Sequence, residues 1–190
     1  MTTAGVLLAA GAGSRFASDT HKLLARIGDR TVFEHALETV LAAGFDQVVV
    51  VTGAVDLDEL LVGRPVERVV NERWADGIAT SVQAGVTVAQ AAGCDAVVVG
   101  LADQPGITAD AWRAVASADA TPIAVATYDG RRGNPVRLAA EAWPLLPTDG
   151  DEGARVLMRD HPDLVTEVPC SGTAFDIDTT DDLRQLGGTP

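Results

Sequence analysis

The chain has 190 residues and a formal net charge of −13, with 47% hydrophobic and 22% charged residues. That length suits one domain, residues 1–190, able to bury roughly 70% of its unfolded surface. The acidity argues against sequence-independent binding to nucleic acid or to an anionic membrane surface.

In chain order, short β-branched runs alternate with helical segments. Strands are predicted at Val6–Ala10, Gln47–Thr52, Glu67–Val70, Ala96–Leu101 and Ile123–Tyr128. The runs QVVVVT and AVVVGL are apolar throughout, as in strands covered on both faces. Thr31 is placed to cap a helix over VFEHALETVLAA that ends at Gly44. A weaker helix is predicted at Leu57–Val62, another at Ser81–Ala92, and Thr108 caps ADAWRAVAS. This order implies a three-layer α/β fold, a mainly parallel Rossmann-like sheet flanked by helices. After Tyr128 the rhythm breaks. GRRGNPVRL reads as a turn plus a short strand, AAEAWPLL as a short helix closed by Pro147, and Gly153–Asp160 as a helix. A strand at Leu164–Val168, a short strand over FDID and a helix capped by Thr180 complete the chain. There is no internal repeat and no linker long enough to divide it.

Cys94 and Cys170 are the only cysteines and have no C-x-x-C spacing. A disulfide framework or cysteine zinc site is not expected, and a reducing cytoplasm is the expected setting. The N-terminal apolar run is too short for a bilayer and no basic segment precedes it.

The first strand runs into AAGAGSRF, with Lys22, the only lysine, six residues further on. A P-loop needs G-x-x-x-x-G-K-[ST], which Gly11 and Gly13 do not begin. A dinucleotide fingerprint needs a third glycine where Phe16 stands. What remains is a glycine turn whose free amides can cradle phosphate, with Arg15 and Lys22 adding positive charge. Asp103 follows an apolar strand, on the side where open α/β sheets bind ligands.

LAAGAGSRF…K resembles the signature of MobA-like nucleotidyltransferases. GLADQP at 100–105, GRRGNPV at 130–136 and FDIDTTDDL at 175–183 bring the resemblance close to the molybdenum cofactor cytidylyltransferases (MocA-type proteins). It spans nearly the whole chain. It implies Mg²⁺-dependent transfer of CMP from CTP to the phosphate of molybdopterin, with release of pyrophosphate. A molybdenum hydroxylase apoenzyme or its maturation factor would be the protein partner.

The resemblance implies nucleotide contacts from Leu8, Ala9, Ala10, Gly11, Ala12, Gly13 and Ser14, and from Gly77, Thr80 and Ser81. Arg15, Lys22 and Asp103 would be catalytic, with metal on Asp103 and Asp178, Asp176 remaining an alternative. Asp181 and Asp182 read as first-turn residues that meet a helix dipole. Arg131, Arg132, Asn134 and Arg137 surround a turn suited to an anionic acceptor, and Arg155 lies near an acidic rim at 149–155. The methyl of Ala10 fills space a purine would need, which favours a pyrimidine. His21, His35 and His161 lack ligand spacing; His21 falls beside the glycine loop and His35 within an amphipathic helix. Trp74 is placed to flank the base, while Trp112 and Trp143 read as helix residues.

The sequence also departs from the family pattern. The gap from Arg15 to Lys22 is longer, Ala17 stands where a glycine is usual, and the longer gap is expected to carry Lys22 further out. Two alternatives therefore stand beside the first reading. One is nucleotidyl transfer with another triphosphate or another phosphorylated acceptor; the other is a binding or redox protein on the same fold.

Overall fold

The computed structural model describes residues 1–189. Its strands are β1 (Thr3–Ala9), β2 (Arg26–Ile27), β3 (Arg30–Thr31), β4 (Gln47–Thr52), β5 (Glu67–Val70), β6 (Ala96–Leu101), β7 (Ile123–Tyr128), β8 (Arg131–Ala139), β9 (Val165–Pro169) and β10 (Gly188–Thr189). Its α-helices are α1 (Val32–Ala42), α2 (Asp58–Leu61), α3 (Ile78–Ala91), α4 (Ala109–Ala116), α5 (Ala154–Asp160) and α6 (Thr180–Gln185). Seven strands form one sheet in the order β5-β4-β1-β6-β8-β7-β9. All neighbours in it run parallel except at β8, which is antiparallel to both β6 and β7.

Alternation along the strands fills two cores, because successive side chains leave opposite faces of a sheet. Leu7 and Ala9 of β1 pack with Phe33 and Leu37 of α1, Trp112 of α4 and Leu183 of α6. Val6 and Leu8 pack with Val82 and Val86 of α3 and Leu157 of α5. The valine runs at the centres of β4 and β6 are needed because both faces are covered. Thr31 caps α1 as predicted, in a capping box with Glu34.

Several boundaries differ from expectation. GRRGNPVRL is almost wholly strand β8, stitched between β6 and β7, and residues 140–145 form a 3-10 turn with Pro144 inside it. FDID is not a strand: residues 175–178 run irregularly, held by the Ile177 amide on the Asp103 carbonyl (3.0 Å). α3 begins at Ile78, a turn earlier than Ser81. The cap of α6 is Thr179 rather than Thr180, with Asp182 completing a capping box. A small antiparallel sheet, β10-β2-β3, has strands too short to show in the sequence pattern.

Arg137, expected on the acceptor side, is not there. On β8 it alternates with Val136 and Leu138 and so faces the opposite core, beneath α4; it is only 2% exposed. Its guanidinium meets the Thr121 carbonyl (3.4 Å) and the Met1 Sδ (3.2 Å), and its Nε has no partner.

Candidate active site

The crossovers bring three segments to the carboxyl end of the sheet: the loop after β1, the Asp103 loop after β6, and the run into α6. Lys22, from the first, places its Nζ 2.6 Å from Asp103 and 3.0 Å from Asp178. Arg15 reaches the other oxygen of Asp178 at 3.0 Å. Lys22 is therefore not carried outward by its longer spacing; it is 8% exposed and clamped between the two carboxylates. Burial alone would lower its basicity, but the charges of Asp103 and Asp178 outweigh that and raise it. This stabilising contribution is complete below the ordinary lysine range. It is lost only as pH rises through the raised value, so the clamp holds at neutral pH.

The carboxylates are fixed from behind. The Asp178 amide donates to Asp182 (3.1 Å), inside the α6 capping box. Gln104, buried beside Asp103, donates from Nε2 to the Ala174 carbonyl (3.0 Å) and to Asp176 (2.7 Å). It accepts from Asn134 Nδ2 (3.0 Å). One amide thus ties β8, the Asp103 loop and the Asp178 segment together. Burial, then the charge of Asp103, pushes the Asp176 carboxyl up. Burial likewise raises the Tyr128 phenol, which donates to the Asn134 carbonyl (2.8 Å).

Two cavities meet at this cluster. The smaller, about 210 Å³, is lined by Leu8, Ala9, Gly11, Gly13 and Ser14. The larger, about 1170 Å³, has an apolar floor including Val99, Val125 and Met158, with Arg131, Arg132, Asn134 and Arg155 among its walls. Arg15, Lys22, Asp103 and Asp178 line both. Among the described residues, no hydrogen bond is donated by the backbone amides of Gly11, Ala12, Gly13, Ser14 or Arg15. Free amides in a glycine turn, beside an arginine and a lysine, can cradle an anion.

The structure does not bring every predicted residue to these cavities. Ala10 is buried next to the loop, close to Gly53 and Trp74, and Ala12 is exposed on the turn. Thr80 and Ser81 are buried, and both hydroxyls accept from Asn71 Nδ2 (2.8 and 2.9 Å), a hub the sequence reading missed. Gly77 has φ +108°, and a Cβ on it would lie 2.4 Å from the Gly150 backbone. That closeness belongs to a strap: Gly150 accepts from the Ala79 amide (3.0 Å) and donates to the Asp76 carbonyl (2.9 Å). Gly77→Ala is expected to destabilise the fold by about 2–4 kcal/mol, seen as a lower urea midpoint at unchanged slope. A midpoint equal to wild type would show that the strap is not held there.

The Asp103–Asp178 pair fits a divalent cation. Asp103 Oδ1 is buried without a hydrogen-bond partner, an acceptor oxygen aimed at nothing in the protein. Among the described residues no three His, Cys, Asp or Glu side chains gather on one metal position. A hard cation held by one or two carboxylates and completed by substrate phosphates matches that donor set.

The pattern of the MobA-like NTP transferase domain matches residues 5–165. The chain belongs to that family. Its enzyme class is nucleotidyltransferase, and the fold of the MobA-like domain is shared with solved structures. A nucleotidyl transferase from Methanothermobacter superposes with a TM-score of 0.85 at 26% identity, covering 97% of this chain and 95% of that one. A Mycobacterium tuberculosis protein, Rv0371C, described as a complex with manganese, superposes at 0.78 and 26% identity, over 98% of each chain. Nicotine blue oxidoreductase of Paenarthrobacter nicotinovorans is 36% identical over 198 aligned positions, 96% of this chain and 95% of the relative. Among the described residues, no helix of this MobA-like domain is long and apolar enough to cross a membrane.

Proposed function

We propose that the protein catalyses Mg²⁺-dependent transfer of CMP from CTP to the terminal phosphate of molybdopterin in the cytoplasm. An acceptor phosphate oxygen forms a bond to the α-phosphorus of CTP, the bond from that phosphorus to the bridging oxygen breaks, and pyrophosphate leaves. The observation that carries this reading is the position of Lys22, Asp103 and Asp178 on the wall common to both cavities. A triphosphate in the amide-lined cavity and an acceptor in the larger one would meet there.

The roles follow from charge and reach. Free amides of Ala12, Gly13 and Ser14 bind phosphate oxygens, and Arg15 and Lys22 offset charge on the departing pyrophosphate. Asp103 and Asp178 hold the cation, which when bound supplies charge stabilisation across the phosphates. Arg131 and Arg155, which make no ion pair among the described residues, bind the acceptor's phosphate. Arg132 shares its charge with Glu167 (2.7 Å) and contributes less. Asn134 positions Gln104. Catalysis is then placement and electrostatics, without a protein nucleophile. Ala10, buried beside Gly53 behind the glycine loop, would limit the depth open to the base.

Incubation with molybdopterin and Mg²⁺ is expected to release pyrophosphate with CTP and not with GTP. Equal release with GTP overturns the base assignment. Release only with another phosphorylated acceptor overturns the molybdopterin assignment and leaves nucleotidyl transfer standing.

A second reading is favoured by one observation, the oxidoreductase name of the 36% identical relative. A nicotinamide dinucleotide would bring a pyrophosphate to the same cradle, and its aromatic acceptor would fit the apolar floor. Dye reduction at the expense of a reduced nicotinamide coenzyme, without pyrophosphate release from any triphosphate, would select it.

A further inference from the structure

The glycine loop can hold phosphate only if its carbonyl oxygens turn away from the ligand, and a single side chain takes one of them. His21 lies 3.1 Å through Nε2 from the Gly11 carbonyl, and the Leu23 amide lies 3.2 Å from its Nδ1. A carbonyl only accepts and an amide only donates, so the ring is neutral and carries its proton on Nε2. The peptide joining Gly11 to Ala12 is planar and trans, so fixing that carbonyl on the ring aims the Ala12 amide the opposite way. Gly13, at φ +62°, sits against the same ring: a Cβ there would lie 3.1 Å from His21 Nε2 and 3.2 Å from Lys22 Cγ. The residues between Arg15 and His21 are thus folded back, with Phe16 buried in the core and its amide on the Gly13 carbonyl (2.9 Å).

We propose that His21 is the positioning residue of this phosphate cradle: it latches the extended loop so that the amides face outward and Lys22 reaches the two carboxylates. The inference rests on the nucleotide reading above and adds the residue that makes the long Arg15–Lys22 spacing workable. Burial lowers the imidazole's basicity, and the Lys22 charge adds to this. The Gly11 and Ala12 backbone and the Asp103 charge act in the opposite sense. The net result keeps the ring in the neutral form the latch requires.

The test compares wild type with His21→Phe, which keeps ring volume and loses both hydrogen bonds, and with His21→Gln, whose amide restores a donor at the same reach. Calorimetry with Mg·CTP and with cytidine separates a phosphate effect from general damage. Affinity for CTP is expected to fall about tenfold in His21→Phe and to return to within about threefold in His21→Gln, with cytidine affinity unchanged throughout. Hydrogen exchange of the ligand-free proteins is expected to quicken about tenfold over residues 16–25 in His21→Phe alone, with β4 peptides unchanged. Unaltered CTP affinity in His21→Phe overturns the proposal, as does an equal loss of cytidine binding. If wild type binds no triphosphate while the exchange contrast remains, the nucleotide reading falls and the latch itself stands.

Discussion

Asp103→Asn is expected to lower pyrophosphate release by about two to three decades, corresponding to about 3–4 kcal/mol of barrier, while leaving the fold intact. The substitution keeps the side chain's shape and removes its charge, and that charge does two jobs. In the ligand-free protein it pairs with Lys22 at 2.6 Å; in the proposed reacting complex it would hold the cation. The Asn carbonyl oxygen can still accept from Lys22. The buried Oδ1 position, which has no partner in the wild type, costs an amide little more than it costs a carboxylate. The loss should therefore appear in turnover far more than in melting temperature. A variant turning over within about threefold of wild type at saturating Mg²⁺ would remove Asp103 from the reaction.

Much of this geometry is legible in the sequence, for specific reasons. QVVVVT and AVVVGL had to be strands covered on both faces, and Thr31 with Glu34 three residues on had to start a helix. Asp103 was placed by its position just beyond such a strand. Asp178 was found through the family resemblance, since nothing local ties it to Asp103. FDID looks like a strand by alternation, yet its backbone partner is the single Asp103 carbonyl and its Asp176 is taken by Gln104. Thr179 and Thr180 are equal as caps in sequence, and Asp182 decides between them by standing three residues after Thr179. Arg137 misled because a charged residue after a polar turn reads as solvent-facing; the strand's alternation directs it into a covered face. Thr80 and Ser81 read as nucleotide contacts, but the distant Asn71 engages both hydroxyls. Lys22 was expected to sit further out because residue spacing measures chain length and not the path taken. The fold-back around His21 was hidden for the same reason.

Lys22→Met is expected to show a divalent-cation dependence of its melting temperature that wild type lacks. The ammonium lies within 3.0 Å of both carboxylates, with Asp176 close enough to have its proton affinity raised by them. Removing it leaves Asp103 without its cation and Asp178 with Arg15 alone, in a half-closed site. Breaking a fully buried pair costs about 3–5 kcal/mol; the carboxylate side chains here are 18% and 27% exposed, so about 2 kcal/mol is the expected loss. For a chain of this length that is a melting temperature lower by about 4–8 °C. Mg²⁺ or Mn²⁺ is then expected to restore most of the loss without nucleotide, because binding at a hundredfold over Kd contributes about 2.7 kcal/mol. In wild type the ammonium would compete with such a cation for the same oxygens, so the ion alone should shift the melting temperature little. On the proposed reading a triphosphate would offer Lys22 another anionic partner and free the carboxylates, making the lysine an exchangeable counter-ion as well as a phosphate ligand. Turnover of Lys22→Met should nonetheless fall by about two decades, since the cation restores the fold and not the positive charge on the departing pyrophosphate. If divalent ions raise the melting temperature of wild type and Lys22→Met equally, Asp103 and Asp178 do not share a cation site with Lys22.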